Sequence, residues 1–147
     1  MDDFPKHHET TILIVEDSQT QAKILEHLLT SAGYNVIVCH NGREALIELH
    51  NNRPTMVLTD IVMPEMDGYE LCREIKQNTS TSNIPVILVT QLYDPQDVVQ
   101  GLECGADNFI IKPYDNQYLL SRIEVILANR FSLPLKMKLA LLYPFFW

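Results

Sequence analysis

The chain has 147 residues, of which 46% are hydrophobic and 20% charged, and its formal net charge is −8. This length is enough for one domain with a single hydrophobic core. The acidic balance argues against a nucleic-acid surface, which needs clustered Lys and Arg, but it suits a site where carboxylates hold a cation. Cys39, Cys72 and Cys104 follow neither a zinc pattern nor a disulfide framework, so thiol packing in a reducing compartment is favoured.

The two ends of the chain differ from its middle. Residues 1–10 form a polar tail without the apolar stretch of a signal peptide. Residues 131–147 are almost wholly apolar, but prolines and lysines interrupt them, so we expect no membrane span there. An out-of-frame or engineered extension, a truncated linker, and a segment that docks on its own chain or on a second one all remain open for this tail. We expect the folded domain to occupy residues 11–130.

Short apolar runs alternate with longer amphipathic stretches along the chain. The runs are continuous, which predicts strands buried on both faces, and capping residues predict where the helices begin and end. The predicted strands are 11–15, 35–39, 56–59, 85–89 and 109–111. Between them, the first helix begins at Ser18, with Gln21 as its capping-box partner, and ends at Gly33, and the second helix begins at Asn41. The remaining predicted helices are 69–77, Asp94 to near Gly105, and 115–129. Five strand–helix units in strict alternation predict an α/β fold, a parallel sheet with helices on both faces.

Polar residues follow four of the predicted strands. They are Glu16 and Asp17 after the first strand, Asp60 after the third, Thr90 at the end of the fourth and Lys112 after the fifth. Because the carboxyl ends of parallel strands line one crevice, residues far apart in sequence are predicted neighbours there. Three crowded carboxylates repel one another unless a cation is present. Mg²⁺ fits best, because it takes carboxylate, water and phosphate oxygens.

The same five residues favour phosphoryl chemistry. Glu16 and Asp17 can supply carboxylate ligands to the metal, Asp17 more directly. Asp60 can bind the metal and also act as a nucleophile that forms an aspartyl phosphate. Lys112 offers an ammonium group, and Thr90 a hydroxyl, to the phosphate oxygens, because phosphoryl transfer needs charge neutralisation and positioning.

Two segments carry a resemblance to a known family. Residues 58–68, Leu-Thr-Asp-Ile-Val-Met-Pro-Glu-Met-Asp-Gly, are similar to the phosphoacceptor loop of the response-regulator receiver domains of two-component signalling. Residues 105–113, Gly-Ala-Asp-Asn-Phe-Ile-Ile-Lys-Pro, resemble the fifth-strand motif of that family. The resemblance covers about residues 11–129. It implies a flavodoxin-like, doubly wound, five-stranded parallel sheet with strand order 2-1-3-4-5, as in the single-domain chemotaxis response regulator.

The resemblance also implies roles for individual residues. The backbone carbonyl of Val62 would complete the shell of a Mg²⁺ or Mn²⁺ ion that Glu16, Asp17 and Asp60 hold. Thr90 and Phe109 would form a switch pair, in which the hydroxyl moves toward the phosphate and the aromatic ring turns inward. Lys112 and Pro113 would be joined by a cis peptide bond.

Partners follow from the same resemblance. A sensor histidine kinase or a histidine phosphotransfer protein would donate the phosphoryl group in the cytoplasm. The expected output is a changed surface on the fourth helix, fifth strand and fifth helix, a face that could also form a homodimer. We expect self-phosphorylation and slow self-dephosphorylation rather than enzymatic turnover. We also expect no direct nucleic-acid binding.

Several residues depart from the pattern of the family. Gln91 is bulkier than the usual residue after Thr90, which narrows access to the phosphate, and Phe109 lacks the hydroxyl of the commoner Tyr. Val62 and Leu92 are apolar at positions that tune hydrolysis in the family. We expect them to disfavour an ordered attacking water and so to give a slowly decaying phosphoryl group.

Two other functions compete with the receiver. A haloacid-dehalogenase-type phosphohydrolase also uses an Asp nucleophile and Mg²⁺, but it wants a second Asp two residues after the nucleophile, where Val62 stands. A nucleotide-binding flavodoxin-like or Rossmann module wants a glycine-rich loop after the first strand, where residues 16–19 read Glu-Asp-Ser-Gln. Both alternatives are therefore weaker.

Overall fold

A computed structural model describes residues 9–91 and 94–128, in which strands and helices alternate in strict order. In chain order they are β1 (Thr11–Val15), α1 (Gln19–Ser31), β2 (Asn35–Cys39), α2 (Gly42–Asn51), β3 (Met56–Thr59), α3 (Gly68–Gln77), β4 (Val86–Thr90), α4 (Pro95–Glu103), β5 (Asn108–Ile111) and α5 (Asn116–Ala128). All five strands pair in parallel in the order β2-β1-β3-β4-β5. The predicted fold and strand order are therefore confirmed.

The polar tail, the apolar tail and Leu92 fall wholly or largely outside the described residues. Within the described ranges, every helix is too short or too polar to cross a membrane.

Three helices begin at the side-chain caps that the sequence predicts, Ser18 for α1, Asn41 for α2 and Asp94 for α4. Asn41 Oδ1 accepts from the Glu44 amide at 2.8 Å, and Asp94 forms a capping box with Asp97. At α1, Ser18 Oγ accepts from the backbone amide of Gln21 at 3.3 Å. The predicted capping-box role of the Gln21 side chain was wrong, because that side chain accepts from Lys112 instead.

The hydrophobic core lies on both faces of the sheet. Inward residues of β1 and β4 such as Leu13 and Leu88 pack on one face beneath α2, α3 and α4. Ile14 of β1 and Ile87 of β4 pack on the other face against Leu119 and its neighbours in α5 and against α1. Each such buried Leu or Ile contributes about 1.5–3 kcal/mol. The central strands are thereby fixed, and the residues that follow them are held at one edge of the sheet.

Candidate functional site

Three acidic side chains converge where β1 and β3 end. Glu16, Asp17 and Asp60 each offer a carboxylate oxygen, and these oxygens lie within 4.8 Å of one another. Glu16 is 5% exposed, Asp60 is partly buried and Asp17 is exposed. The structure thus brings together the three acids that the sequence singled out. Such a set of hard oxygen ligands can hold a metal ion.

Backbone contacts fix Asp60 on both sides. Its amide donates to the carbonyl of Val15 at 3.0 Å, and its Oδ1 accepts from the amide of Ile61 at 2.7 Å. Gly68 closes the following loop by donating to the Ile61 carbonyl at 2.8 Å. A Cβ at Gly68 would lie 2.3 Å from the carbonyl oxygen of Asp60, so only glycine fits this approach.

Lys112 is the cation that faces these acids. Its Nζ lies 3.4 Å from Asp60 Oδ2 and 3.8 Å from Glu16 Oε2, and it donates to Gln21 Oε1 at 2.7 Å. Its backbone amide donates to the carbonyl of Thr90 at 2.7 Å, and its bond to Pro113 is a cis peptide. One ammonium group therefore serves two carboxylates and an amide oxygen.

The acidic excess shows in the protonation of Glu16. Burial, followed by the hydrogen bond with Asp60 and the negative charge of Asp60, raises the pKa of Glu16 to about 7. The positive charge of Lys112 and the amide of Ser18 act in the opposite direction but do not compensate. A hard divalent cation would remove this penalty, so the residues present fit such an ion.

Thr90 and Phe109 lie on the adjoining strands β4 and β5. Thr90 is 1% exposed and Phe109 is 8% exposed. The Phe109 ring packs against α4, where a Cβ on Gly101 would lie 3.1 Å from Phe109 Cδ2. The predicted switch residues are thus buried, and one of them touches α4.

Two of the residues that depart from the family pattern lie at the surface of the site. Val62 stands two residues after Asp60, and its side chain is 62% exposed. Gln91 is also exposed, directly after Thr90. Both therefore face the solvent from which a reacting water would come.

Sequence reasoning missed Gln21 and an open cavity beside the acidic edge. The cavity measures about 320 Å³ and lies between α1 and the connection from β5 to α5. Its lining includes apolar groups such as Ile24 and Pro113 next to Asp60 and Lys112. The signal that could have found Gln21 is its place in the first turn of α1, which begins at the edge of the sheet where Glu16 lies.

Comparison with known proteins gives a consistent result. Residues 12–124 match the response regulator receiver domain family. This chain belongs to that family. Receiver domains of known structure share its fold. A signal receiver domain of a signal transduction histidine kinase from Syntrophus aciditrophicus is 48% identical, with a TM-score of 0.79 over 86% of this chain and 96% of that one. The chemotaxis protein CheY4 of Vibrio cholerae is 27% identical, with a TM-score of 0.76 over 80% and 98%.

Curated relatives of this receiver domain are longer proteins. The response regulator ArlR of Staphylococcus aureus is 42% identical over 121 residues, which are 82% of this chain and 54% of ArlR. The probable transcriptional regulator ycf27 of Guillardia theta is 41% identical over 118 residues, 80% of this chain and 45% of ycf27. The chain spans about half the length of these relatives. The match to receivers confirms the response-regulator interpretation and disfavours the haloacid-dehalogenase alternative.

Proposed function

We propose that Asp60 of this receiver domain takes a phosphoryl group in a two-component phosphorelay. One observation carries the proposal: Asp60 Oδ2 faces Lys112 Nζ at 3.4 Å while Glu16 and Asp17 stand beside it. In a purely structural ion pair, two additional carboxylates at the same place would add repulsion without adding stability. Beside a bound cation, the same carboxylates can hold the metal while one of them acts as the nucleophile.

Each residue of the site has a role in the transfer. Asp60 Oδ2 attacks the phosphorus of a phosphohistidine, and the bond from phosphorus to the imidazole nitrogen breaks. Lys112 and the hydroxyl of Thr90 bind phosphoryl oxygens. Glu16, Asp17, Asp60 and the backbone carbonyl of Val62 would hold Mg²⁺ or Mn²⁺. When bound, the ion neutralises the charge that collects on the phosphoryl oxygens.

Phosphorylation then changes a distant surface through Thr90 and Phe109. Thr90 moves its hydroxyl toward the phosphoryl group, and Phe109 follows by packing alone because it has no hydroxyl. The contact of Phe109 with Gly101 supports a path to α4. The changed surface is the face of α4, β5 and α5.

The partner is a sensor histidine kinase or a histidine phosphotransfer protein, and the setting is the cytoplasm. The domain occupies residues 11–130, between the polar tail and the apolar tail. The α4–β5–α5 face supports a homodimer, because it exposes the apolar side chains of Val99, Leu102, Ile111 and Tyr118. The net charge of −8 favours a protein partner over direct nucleic-acid binding.

Acyl-phosphate formation tests this function. The full chain is incubated with Mg²⁺ and acetyl phosphate, and the product is measured by intact mass. We expect one phosphoryl group per chain, lost in Asp60→Asn. Asp67→Asn is a matched control in the same loop, because Asp67 caps α3 through the Glu70 amide. Phosphorylation that survives in Asp60→Asn, or many turnovers of a phosphomonoester per chain, would overturn the proposal.

A further inference from the structure

Two buried thiols meet where α3 packs against the end of α4. Cys72 lies in α3 and is 0% exposed, while Cys104 is the C-cap of α4 and is 3% exposed. Cys72 Sγ donates to the carbonyl of Cys104 at 3.4 Å. Cys104 Sγ donates to the carbonyl of Gly101, one turn back along α4, at 3.1 Å. The phosphorelay chemistry proposed above uses neither thiol.

The two neighbouring thiols are unequal. The interaction with the other thiol raises the pKa of Cys72, as burial also does, and it lowers the pKa of Cys104. The positive charge of Arg73 adds to the lowering at Cys104. Since the thiolate is the reactive form, Cys104 is the better nucleophile and Cys72 is a thiol held next to it.

Cys39 shows what a buried thiol without this arrangement looks like. It lies at the end of β2, where burial and the negative charges of Glu48 and Glu44 together raise its pKa to about 12. The neighbouring groups that shift its pKa are two carboxylates and no thiol. Cys39 is therefore an internal control that should stay inert under the same oxidant.

We propose that Cys72 and Cys104 form an oxidisable dithiol site, which a small peroxide converts to a disulfide between α3 and the carboxyl end of α4. The Cys104 thiolate attacks one peroxide oxygen, the O–O bond breaks, and the departing hydroxide takes up a proton as water. The sulfur of Cys72 then attacks the sulfenic acid on Cys104, its proton leaves, and a second water departs. The two thiols lose two electrons, and hydrogen peroxide is reduced to two waters.

A small oxidant can reach Cys104 from the end of the helix. The residues on either side of it, Glu103 and Gly105, are exposed, although Cys104 itself is not. The proposed reaction requires this end of α4 to open transiently, and helix ends open more easily than helix centres. Cys72 needs no exposure of its own, because it reacts with the oxidised neighbour.

The disulfide would restrict the helix that contacts Phe109. Gly101, which lies against the Phe109 ring, is three residues before Cys104. A covalent link at Cys104 therefore restricts the segment of α4 around Gly101, and a movement of the Phe109 ring would have to displace this segment. The bond itself does not depend on the phosphorelay function, so its test stands apart from that of Asp60.

Disulfide mapping on the full chain tests the proposal. The reduced protein is treated with hydrogen peroxide, remaining thiols are alkylated after unfolding, and a tryptic digest is analysed without reduction. Arg73 and Lys76 lie between the two cysteines, so a link joins two separate peptides. We expect a Cys72–Cys104 link with Cys39 fully alkylated, and a Tm higher by roughly 5 °C in the oxidised form.

Variants give the matched comparison. Cys39→Ser should retain the link, whereas Cys72→Ser should lose it and leave Cys104 as a sulfenic acid that a dimedone probe captures. The mapping of the unmodified chain decides the matter even if Cys72→Ser folds poorly. The proposal is wrong if Cys72 and Cys104 both remain alkylatable after oxidation, or if the link involves Cys39.

Discussion

Two lysine–aspartate pairs lie at opposite ends of β5, and their burial is nearly the same. Asp107 directly precedes the strand and pairs with Lys76 at 2.8 Å, with side chains 19% and 18% exposed. Lys112 directly follows the strand and faces Asp60 at 3.4 Å, with side chains 18% and 15% exposed. Exposure therefore does not distinguish the two pairs, and the difference must come from their other partners.

The pair before β5 is complete. Asp107 Oδ2 also accepts from the amide of Val86 at 2.8 Å, and Lys76 Nζ also donates to the carbonyl of Ile84 at 2.8 Å. These bonds tie α3 and the start of β4 to the start of β5. Every one of them satisfies a polar group that burial would otherwise penalise, so this pair is structural.

The pair after β5 is incomplete. Lys112 is shared among Asp60, Glu16 and Gln21, and its shortest contact is with the amide oxygen rather than with a carboxylate. The carboxylates outnumber the ammonium group, and burial together with the neighbouring Asp60 raises the pKa of Glu16. The candidate site therefore differs from the structural pair by its excess of carboxylates over positive charges. Binding of a cation or phosphorylation of Asp60 would alter that charge balance.

Phosphorylation of matched asparagine variants should give the largest difference between the pairs. Asp60→Asn removes the proposed nucleophile, so we expect acyl-phosphate formation to fall at least about 100-fold. Asp107→Asn leaves the site intact and should change it by less than about threefold. Intact mass after incubation with acetyl phosphate and Mg²⁺ measures both. Equal losses in the two variants would contradict the distinction.

In urea unfolding, the order of the two variants should be reversed: Asp107→Asn should lose more stability than Asp60→Asn. Asp107→Asn loses a charge-assisted bond and leaves Lys76 poorly paired, so the free energy of unfolding should fall by about 2 kcal/mol. Asp60→Asn relieves repulsion with Glu16, so we expect a change within about 1 kcal/mol or a gain. The measurement is made without divalent cations. A larger loss for Asp60→Asn than for Asp107→Asn would show that the Asp60 pair is the structural one.

The acid excess should also appear as a pH dependence of stability. The folded pKa of Glu16 is about 7, above its ordinary value of 4.5, so the folded state binds the proton more tightly than the unfolded state. This contribution is fully present below pH 4.5 and is lost as pH rises through 7. Without divalent cations, raising the pH from about 5 to 8 should cost on the order of 2 kcal/mol.

Glu16→Gln is the control for that dependence, because glutamine keeps the shape and does not titrate. The difference in unfolding free energy between the wild type and Glu16→Gln should change across this range, and Mg²⁺ should reduce the loss at pH 8. Parallel pH profiles of the two proteins would show that Glu16 is not the group responsible.

The sequence predicted the fold and the meeting of the acids because both follow from local rules. Continuous apolar runs predict buried strands, and parallel strands bring their carboxyl ends to one edge, where Asp60 and Lys112 meet. The burial of Glu16 was not predictable, since an acid before a helix reads equally well as an exposed charge near the helix dipole.

Contacts between distant side chains were also beyond the sequence. Gln21 fits a capping box by its spacing from Ser18, yet its side chain bonds Lys112, 91 positions away. Cys72 and Cys104 have no informative spacing, and only the packing of α3 against α4 joins them. Which partner a side chain contacts depends on the groups that the tertiary fold places near it, and residue type and periodicity do not predict these groups.

The lifetime of the phosphoryl group is the smallest effect that we expect to measure. Val62 is 62% exposed beside Asp60 and offers no hydrogen bond to an attacking water. Val62→Asn supplies an amide that can hold one, and a single hydrogen bond of about 0.5–1.5 kcal/mol converts to a roughly two- to tenfold faster decay. Val62→Ile keeps the apolar surface and should decay as the wild type does. Loss of the acyl phosphate over time, followed by intact mass, measures all three proteins. If the asparagine and isoleucine variants decay alike, or if the wild type already loses its phosphoryl group within seconds, then an apolar residue at this position does not protect the phosphorylated Asp60.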